Sequence, residues 1–263
     1  MLNISRQAFY KNRKNESVKH LEEEVIIQLV KKIRKKLPRL GGRKLYHLLK
    51  DDLGHLPSKL GRDKFFNLLR KNELLVEPVK LYTVTTNSHH RFRIFSNLIK
   101  ELNVDGPNKL WVADITYIRL QEGFCYLFLI TDVYSRKIVG YHLSNNLTTD
   151  GAITAMKMGL KNLSREEGLI HHSDRGFQYC SNNYVELLQK NKIKISMGEP
   201  GNPYDNAIAE RVNGILKNEF FLNTTFMDFE IARKATIEAI NNYNNLRPHM
   251  SIEYLTPKEK YAA

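Results

Sequence analysis

Asp114, Asp174 and Glu210 are the three residues whose types and settings best fit a reaction centre. Asp114 stands in the apolar run LWVADITYIRL (110–120), flanked by Trp111, Val112, Ile115 and Tyr117. An isolated carboxylate there is unfavourable unless something pairs with it. Asp174 closes LIHHSD (169–174) just before Arg175 and Gly176, where a loop would aim its side chain away from a sheet. Glu210 lies in DNAIAERVNGILKNEF (205–220). Wound as a helix at about 100° per residue, that segment sets Ile208, Val212, Ile215 and Leu216 in an apolar stripe and Asn206, Glu210, Asn213 and Lys217 on the opposite face. Taken singly, each acid has a plainer reading: Asp114 on the solvated face of an alternating strand, Asp174 in a turn, Glu210 on a solvated helix face. Glu219 is the rival third acid, but its angle sets it over the apolar stripe, about half a turn from Glu210, and it reads as structural. Two Asp and one Glu brought together make an oxygen-only cage that suits Mg2+ or Mn2+ rather than zinc. Two such ions ~4 Å apart activate a water or a 3′-hydroxyl on one side of a phosphate and stabilise the leaving oxygen on the other. The chemistry so defined is phosphoryl transfer, with no further base required.

Bringing the acids together requires a particular order of elements. LWVADITYIRL, FCYLFLITDVYS (124–135) and KIVGYHLSN (137–145) are β-branched and aromatic, separated by QEG and by a tight Ser135-Arg136 corner, and predict a three-stranded meander. A helix over 149–163, a strand at 169–174, a helix at 182–191, a strand at 192–197 and two helices near 205–220 and 228–245 complete the order βββαβαβαα. Such a mixed order implies an α/β layer fold.

Charge separates the chain into two parts. Residues 1–100 hold 23 Lys and Arg against 9 Asp and Glu, a surplus of 14, whereas residues 101–263 hold 18 against 19. A polyanionic partner, DNA above all, is expected for the first part. Ile26, Leu29, Val30, Ile33 and Leu37 mark one face of a helix over 22–37, ended by Pro38. A second helical segment runs from Gly41-Gly42 to Gly54. A third, 61–72, buries Phe66 and Leu69 and turns Lys64, Asn67 and Lys71 to another face. The three predict a helix-turn-helix-like unit. Lys64, Asn67 and Lys71 would meet a groove and Arg62 a phosphate; the plainer reading is that this face is solvated and that Arg43, Lys44 and Lys50 of the neighbouring helix make only backbone contacts. On the helix near 205–220, Asn206, Asn213 and Lys217 are further expected DNA contacts. The expected organisation is a helical DNA-binding region at 1–78, a linker or arm at 79–104 and a catalytic domain at 105–263. Cys125 and Cys180 have no CxxC pairing and His89-His90 no ligand pair at finger spacing, so neither a disulfide scaffold nor a zinc site is expected. No apolar run approaches the roughly 20 residues of a membrane span, and a cytoplasmic location with access to DNA is expected.

WVADITYI (111–118), TDVYSRKIVGY (131–141), HHSDRGFQY (171–179), ISMGEPGNPYDNAIAE (195–210), LKNE (216–219), YNNLRPH (243–249) and LTP (255–257) together resemble the bacterial insertion-sequence transposases of the IS-three family, whose second reading frame encodes a retroviral-integrase-like core. SRQAFYK (5–11) and PRLGGRKLYHLL (38–49) resemble that family's N-terminal region, and the 35 residues between Asp174 and Glu210 match its spacing. The chain departs from the family pattern at Gly198-Glu199 and Arg211-Val212, beside the acids but not at them. The resemblance implies a ribonuclease-H-like domain whose catalytic and metal-holding triad is Asp114, Asp174 and Glu210. It further implies cleavage at an element's terminal inverted repeats, strand transfer into target DNA, a homo-oligomer on DNA, and fusion or partnership with the product of an upstream frame. On the same residues two other readings stand: a ribonuclease-H-like nuclease that only hydrolyses, and a catalytically idle DNA-binding regulator derived from a transposase.

Overall fold

Apolar residues at three- and four-residue intervals wind the described residues of the N-terminal unit, Met1–Pro78, into helices α1 (Arg6–Arg34), α2 (Gly42–Leu48), α3 (Lys50–Gly54) and α4 (Arg62–Lys71). The protein is described from a computed structural model, covering residues 6–58, 60–77, 93–161, 163, 168–199 and 206–263. Ile26 and Val30 of α1, Leu45 of α2, Leu53 of α3 and Phe65, Leu68 and Leu69 of α4 are buried, each side chain of that size contributing roughly 1.5–3 kcal/mol.

Three details differ from the sequence expectation. α1 begins sixteen residues earlier than residue 22, since the polar stretch before it is rich in helix formers such as Lys, Arg and Gln. It also stops at Arg34, because the Pro38 ring excludes a helical carbonyl four residues before it; the backbone closes instead through Leu37 N to Ile33 O at 3.1 Å. The second segment breaks at Leu49 into two short helices. On α4 the buried aromatic is Phe65 and not Phe66, because Phe65 shares its face with both Leu68 and Leu69, at i+3 and i+4.

The second unit, Val79–Ala263, is built on one five-stranded sheet. Strands β1 (Leu110–Arg119), β2 (Phe124–Asp132) and β3 (Ile138–Ser144) form the antiparallel meander. Helix α5 (Thr149–Leu160) crosses to β4 (Ile170–Ser173), and α6 (Phe177–Cys180) and α7 (Asn182–Lys190) lead to β5 (Lys194–Met197). β4 pairs in parallel with β1, and β5 with β4, giving the order β3-β2-β1-β4-β5. Helices α8 (Ala207–Glu219), α9 (Phe229–Leu246) and α10 (Pro257–Ala262) follow. The short α6 and α10 carry no periodic signal and were not expected.

The sheet is covered on both faces. Trp111, Ala113, Phe128 and Ile130 pack with Ala152, Ala155 and Met156 of α5 and with Tyr179, Tyr184 and Leu188. Ile118, Leu127 and Leu129 pack with Val212 and Ile215 of α8 and Ala239, Ile240 and Tyr243 of α9. α5 lies so close to β3 that a Cβ at Gly140 would collide with the Ala155 carbonyl. Part of the expected linker belongs to this unit: Phe95 packs on the core, Leu98 N donates to Ser196 Oγ at 2.9 Å, and Met197 N donates to Ser96 O at 3.5 Å. His89 and His90 lie outside the described residues.

Candidate active site

Successive β1 side chains alternate between faces, so Asp114 shares the α8 side with Val112 and Ile118, which pack there. The parallel register sets Val112 opposite His172. Carried two residues further, it brings Asp174 level with Asp114. Asp114 Oδ1 accepts from Ile115 N at 2.9 Å, and its Oδ2 accepts from Asn213 Nδ2 at 2.6 Å. Burial pushes the Asp114 carboxyl up to about 7, with the neighbouring charges of Asp174 and, last, Glu210 adding to it against the two hydrogen bonds. All three acids therefore share one electrostatic neighbourhood.

Asp174 leaves the end of β4 and turns back on itself, its Oδ1 accepting from Gly176 N at 3.0 Å. A Cβ on Gly176 would lie 3.0 Å from that oxygen and 3.2 Å from Gln178 Oε1, so the tight loop favours glycine. Arg175 Nε ties the same loop to Gly198 O at 2.9 Å. Glu210 is exposed in the first turn of α8. Glu219 is held elsewhere: Arg247, buried to 1% exposure, grips it through Nε and Nη2 at 2.8 and 2.7 Å.

The polar face of α8 looks inward at β1. Asn206 Nδ2 donates to Ala113 O at 3.4 Å, Asn213 is buried on Asp114, and Lys217 feels the Asp114 charge while burial lowers its own pKa. Of the residues expected on DNA, these three stand around the acid cluster. Arg43, Arg62 and Asn67 come together with Asp63, Phe66 and Arg70 around a recess of about 380 Å3 on the N-terminal unit. Lys64 is exposed beside it and Lys44 half-buried. Lys71 instead pairs with Glu23 at 3.3 Å.

Tyr179 was missed by sequence reasoning. It is buried, its hydroxyl has no hydrogen-bond partner among the described residues, and burial raises its pKa well above the ordinary value, helped by Tyr184, Asp114 and Asp174. The sequence signal was its place in HHSDRGFQY. Asp132 was missed as well: its carboxylate accepts from Asn108 N, Ser135 N and Ser135 Oγ at 2.8, 2.8 and 2.5 Å, fixing the corner after β2. A recess of about 570 Å3 between β3, α5 and α9 is lined by none of the three acids.

An oxygen-only donor set of two Asp and one Glu matches the preference of Mg2+ or Mn2+. Burial first, and then repulsion from Asp174 and Glu210, raises Asp114; a divalent cation would relieve the repulsive part, and in that sense the residues fit such an ion. Among the described residues, no three His, Cys, Asp or Glu already stand in metal-holding geometry.

The central meander, the two parallel strands beside it and the helices on both faces make up a mixed α/β fold of the ribonuclease-H-like, retroviral-integrase type. Residues 104–203 match one integrase core domain family, and residues 191–257 match a second family of the same description. The chain is similar to an intasome of simian T-cell lymphotropic virus in complex with PP2A regulatory subunit B56 gamma. The TM-score is 0.52 at 18% identity, over 86% of this chain and 72% of that one. It is 37% identical over 207 residues to an uncharacterized 31 kDa protein of insertion element IS600 from Shigella sonnei, covering 77% of this chain and 76% of that protein. It is 33% identical over 193 residues to the transposase InsF of insertion sequence IS3A from Escherichia coli K12, covering 73% and 67%. The chain belongs to the insertion-sequence transposases of the IS-three family, proteins of DNA transposition and integration.

Proposed function

We propose that this transposase cleaves the ends of its element and joins the freed 3′-hydroxyl strands to target DNA, with Asp114, Asp174 and Glu210 as catalytic residues. The observation that carries the reading is the half-buried Asp114 carboxyl on the central strand, raised to about 7 and within electrostatic reach of both other acids. Such an arrangement lowers the stability of the folded protein once the carboxyl ionises, and groups held at that cost cluster at functional sites. The three acids would hold Mg2+ or Mn2+, as two ions, which when bound supply neutralising charge at the phosphate and an activated oxygen nucleophile. Asn213 holds Asp114 in one orientation, and Asp174 is fixed by Gly176 N. Glu210 completes the set from a helix that follows residues 200–205 of the chain. Lys217, beside Asp114, adds positive charge where a DNA phosphate would lie. The protein acts in the cytoplasm as a homo-oligomer on DNA, alone or joined to the product of an upstream frame. The basic N-terminal unit supplies phosphate contacts.

The test is metal-dependent cleavage and strand transfer on duplexes carrying the element's own ends. Asp114→Asn, Asp174→Asn and Glu210→Gln are each expected to abolish both reactions while binding persists, and Glu219→Gln to keep both. Normal cleavage by any of the first three would sink the assignment. Hydrolysis without joining of pre-cleaved ends would establish a nuclease instead.

A further inference from the structure

The recess on the N-terminal unit has a charge and a geometry of its own. Arg43 of α2 and Arg62 and Arg70 of α4 surround it, and the one carboxylate lining it, Asp63, is engaged by Arg62 Nε at 3.0 Å. Three guanidiniums against one carboxylate favour an anion. Arg62 and Arg70 are eight residues apart on one helix, an axial separation of about 12 Å at 1.5 Å per residue, too far to share one small anion. Phe66 lines the recess and lies against the start of α2, where a Cβ on Gly42 would sit 2.9 Å from its ring.

Asn67, the residue best suited by type to read a base, is committed elsewhere. Its Oδ1 accepts from Arg70 Nη1 at 2.7 Å. Pairing with an adenine edge requires the Asn carbonyl to accept and the amide to donate at once, and here Arg70 already holds one lone pair of that carbonyl and turns it along α4. A guanidinium oriented by an amide oxygen presents its remaining N–H groups as a fork, the geometry that suits phosphate oxygens.

We propose that this recess seats successive backbone phosphates of duplex DNA on Arg43, Arg62 and Arg70, with Asn67 positioning Arg70 and reading no base. The inference rests on the DNA-binding reading above, and it replaces the sequence expectation that Lys64, Asn67 and Lys71 meet a groove with Asn67 reading a base. Lys71, paired with Glu23, stands outside the contact.

Fluorescence anisotropy on the full chain tests this, using a random-sequence duplex and one carrying the element's end, titrated from low to moderate salt. Each guanidinium that meets a phosphate adds about 0.9 to the slope of log affinity against log salt. Arg43→Gln, Arg62→Gln and Arg70→Gln are each expected to flatten the slope by about that amount and to weaken both duplexes by the same factor. Asn67→Ala should act in the same direction on both duplexes, and Lys71→Gln should leave the slope unchanged. These side chains are exposed, so unchanged melting of each variant is expected to accompany the loss. Unaltered slopes for the arginine variants, in a parent that binds DNA, would overturn the recess alone. So would an Asn67→Ala variant that relaxes preference at one base pair with its slope intact. A parent that binds neither duplex would overturn the DNA-binding reading along with it.

Discussion

Two titratable groups in the second unit, the half-buried Asp114 and the buried His171, pull its stability in opposite directions with pH. The Asp114 carboxyl ionises near 3.8 in an unfolded chain and near 7 in the folded one. Between those values only the folded protein holds the proton, so the stability it contributes is complete at low pH and is lost as pH rises through 7. His171 does the reverse. Its Nε2 faces the Tyr184 hydroxyl at 2.9 Å, and burial first, then His172, lowers it from 6.5 to about 3. Its contribution is complete above about 6.5 and is lost as pH falls towards 3, by about 1.4 kcal/mol per pH unit for one proton. In the metal-free parent the two slopes offset one another between pH 4 and 6.5. Asp114→Asn is expected to expose the acid loss and to raise stability at pH 8; His171→Gln is expected to expose a steady decline from pH 4 to 7. Urea unfolding across that range in the presence of a chelator checks both, and parallel curves for the parent and the two variants would refute the assignment.

Among the elements, β1 and α8 were the most legible in the sequence, because an acid inside WVADITYI and a clean apolar stripe at Val212, Ile215 and Leu216 mark one strand and one helix face. What the stripe left open was the destination of its polar side. Periodicity separates two faces but does not say that the second one lies against a strand, as Asn213 does on Asp114. The Phe65 and Phe66 exchange has the same origin, since adjacent positions differ by about 100° and tertiary packing chooses between them. YNNLRPH was visible as a motif but not as a clasp: Tyr243 Oη donates to Arg136 O at 2.9 Å, and Arg247 joins α9 to the end of α8 through Glu219. Arg247→Ala leaves a half-buried carboxylate uncompensated and is expected to destabilise the unit by about 3–5 kcal/mol, read as a lower denaturant midpoint, whereas a surface ion pair would yield about 1 kcal/mol or less. Gly140→Ala should destabilise by a further mechanism, forcing α5 off β3, by about 1–3 kcal/mol; a midpoint equal to the parent's would show that the helix yields freely.

For the whole molecule, the boundary at residue 78 predicts that the unit 79–263 unfolds cooperatively on its own and keeps metal-dependent nicking of DNA. Removing 1–78 should also flatten the salt dependence of DNA binding, and an unchanged slope would place the main DNA surface on the catalytic unit. β3 is one of the sheet's two edge strands, at the opposite end of the order from β5. There Asn244 of α9 presents its amide to Ile138, with Oδ1 accepting from Ile138 N at 3.0 Å and Nδ2 donating to Ile138 O at 2.9 Å. One side chain thus takes the two main-chain bonds that an incoming strand from another molecule would need at that position. In the proposed homo-oligomer on DNA, local concentration is high, and an unguarded border would invite the copies to zip together irreversibly. By this account Asn244→Ala would clarify little about catalysis and a great deal about shelf life: the variant would remain active when fresh and turn cloudy on standing.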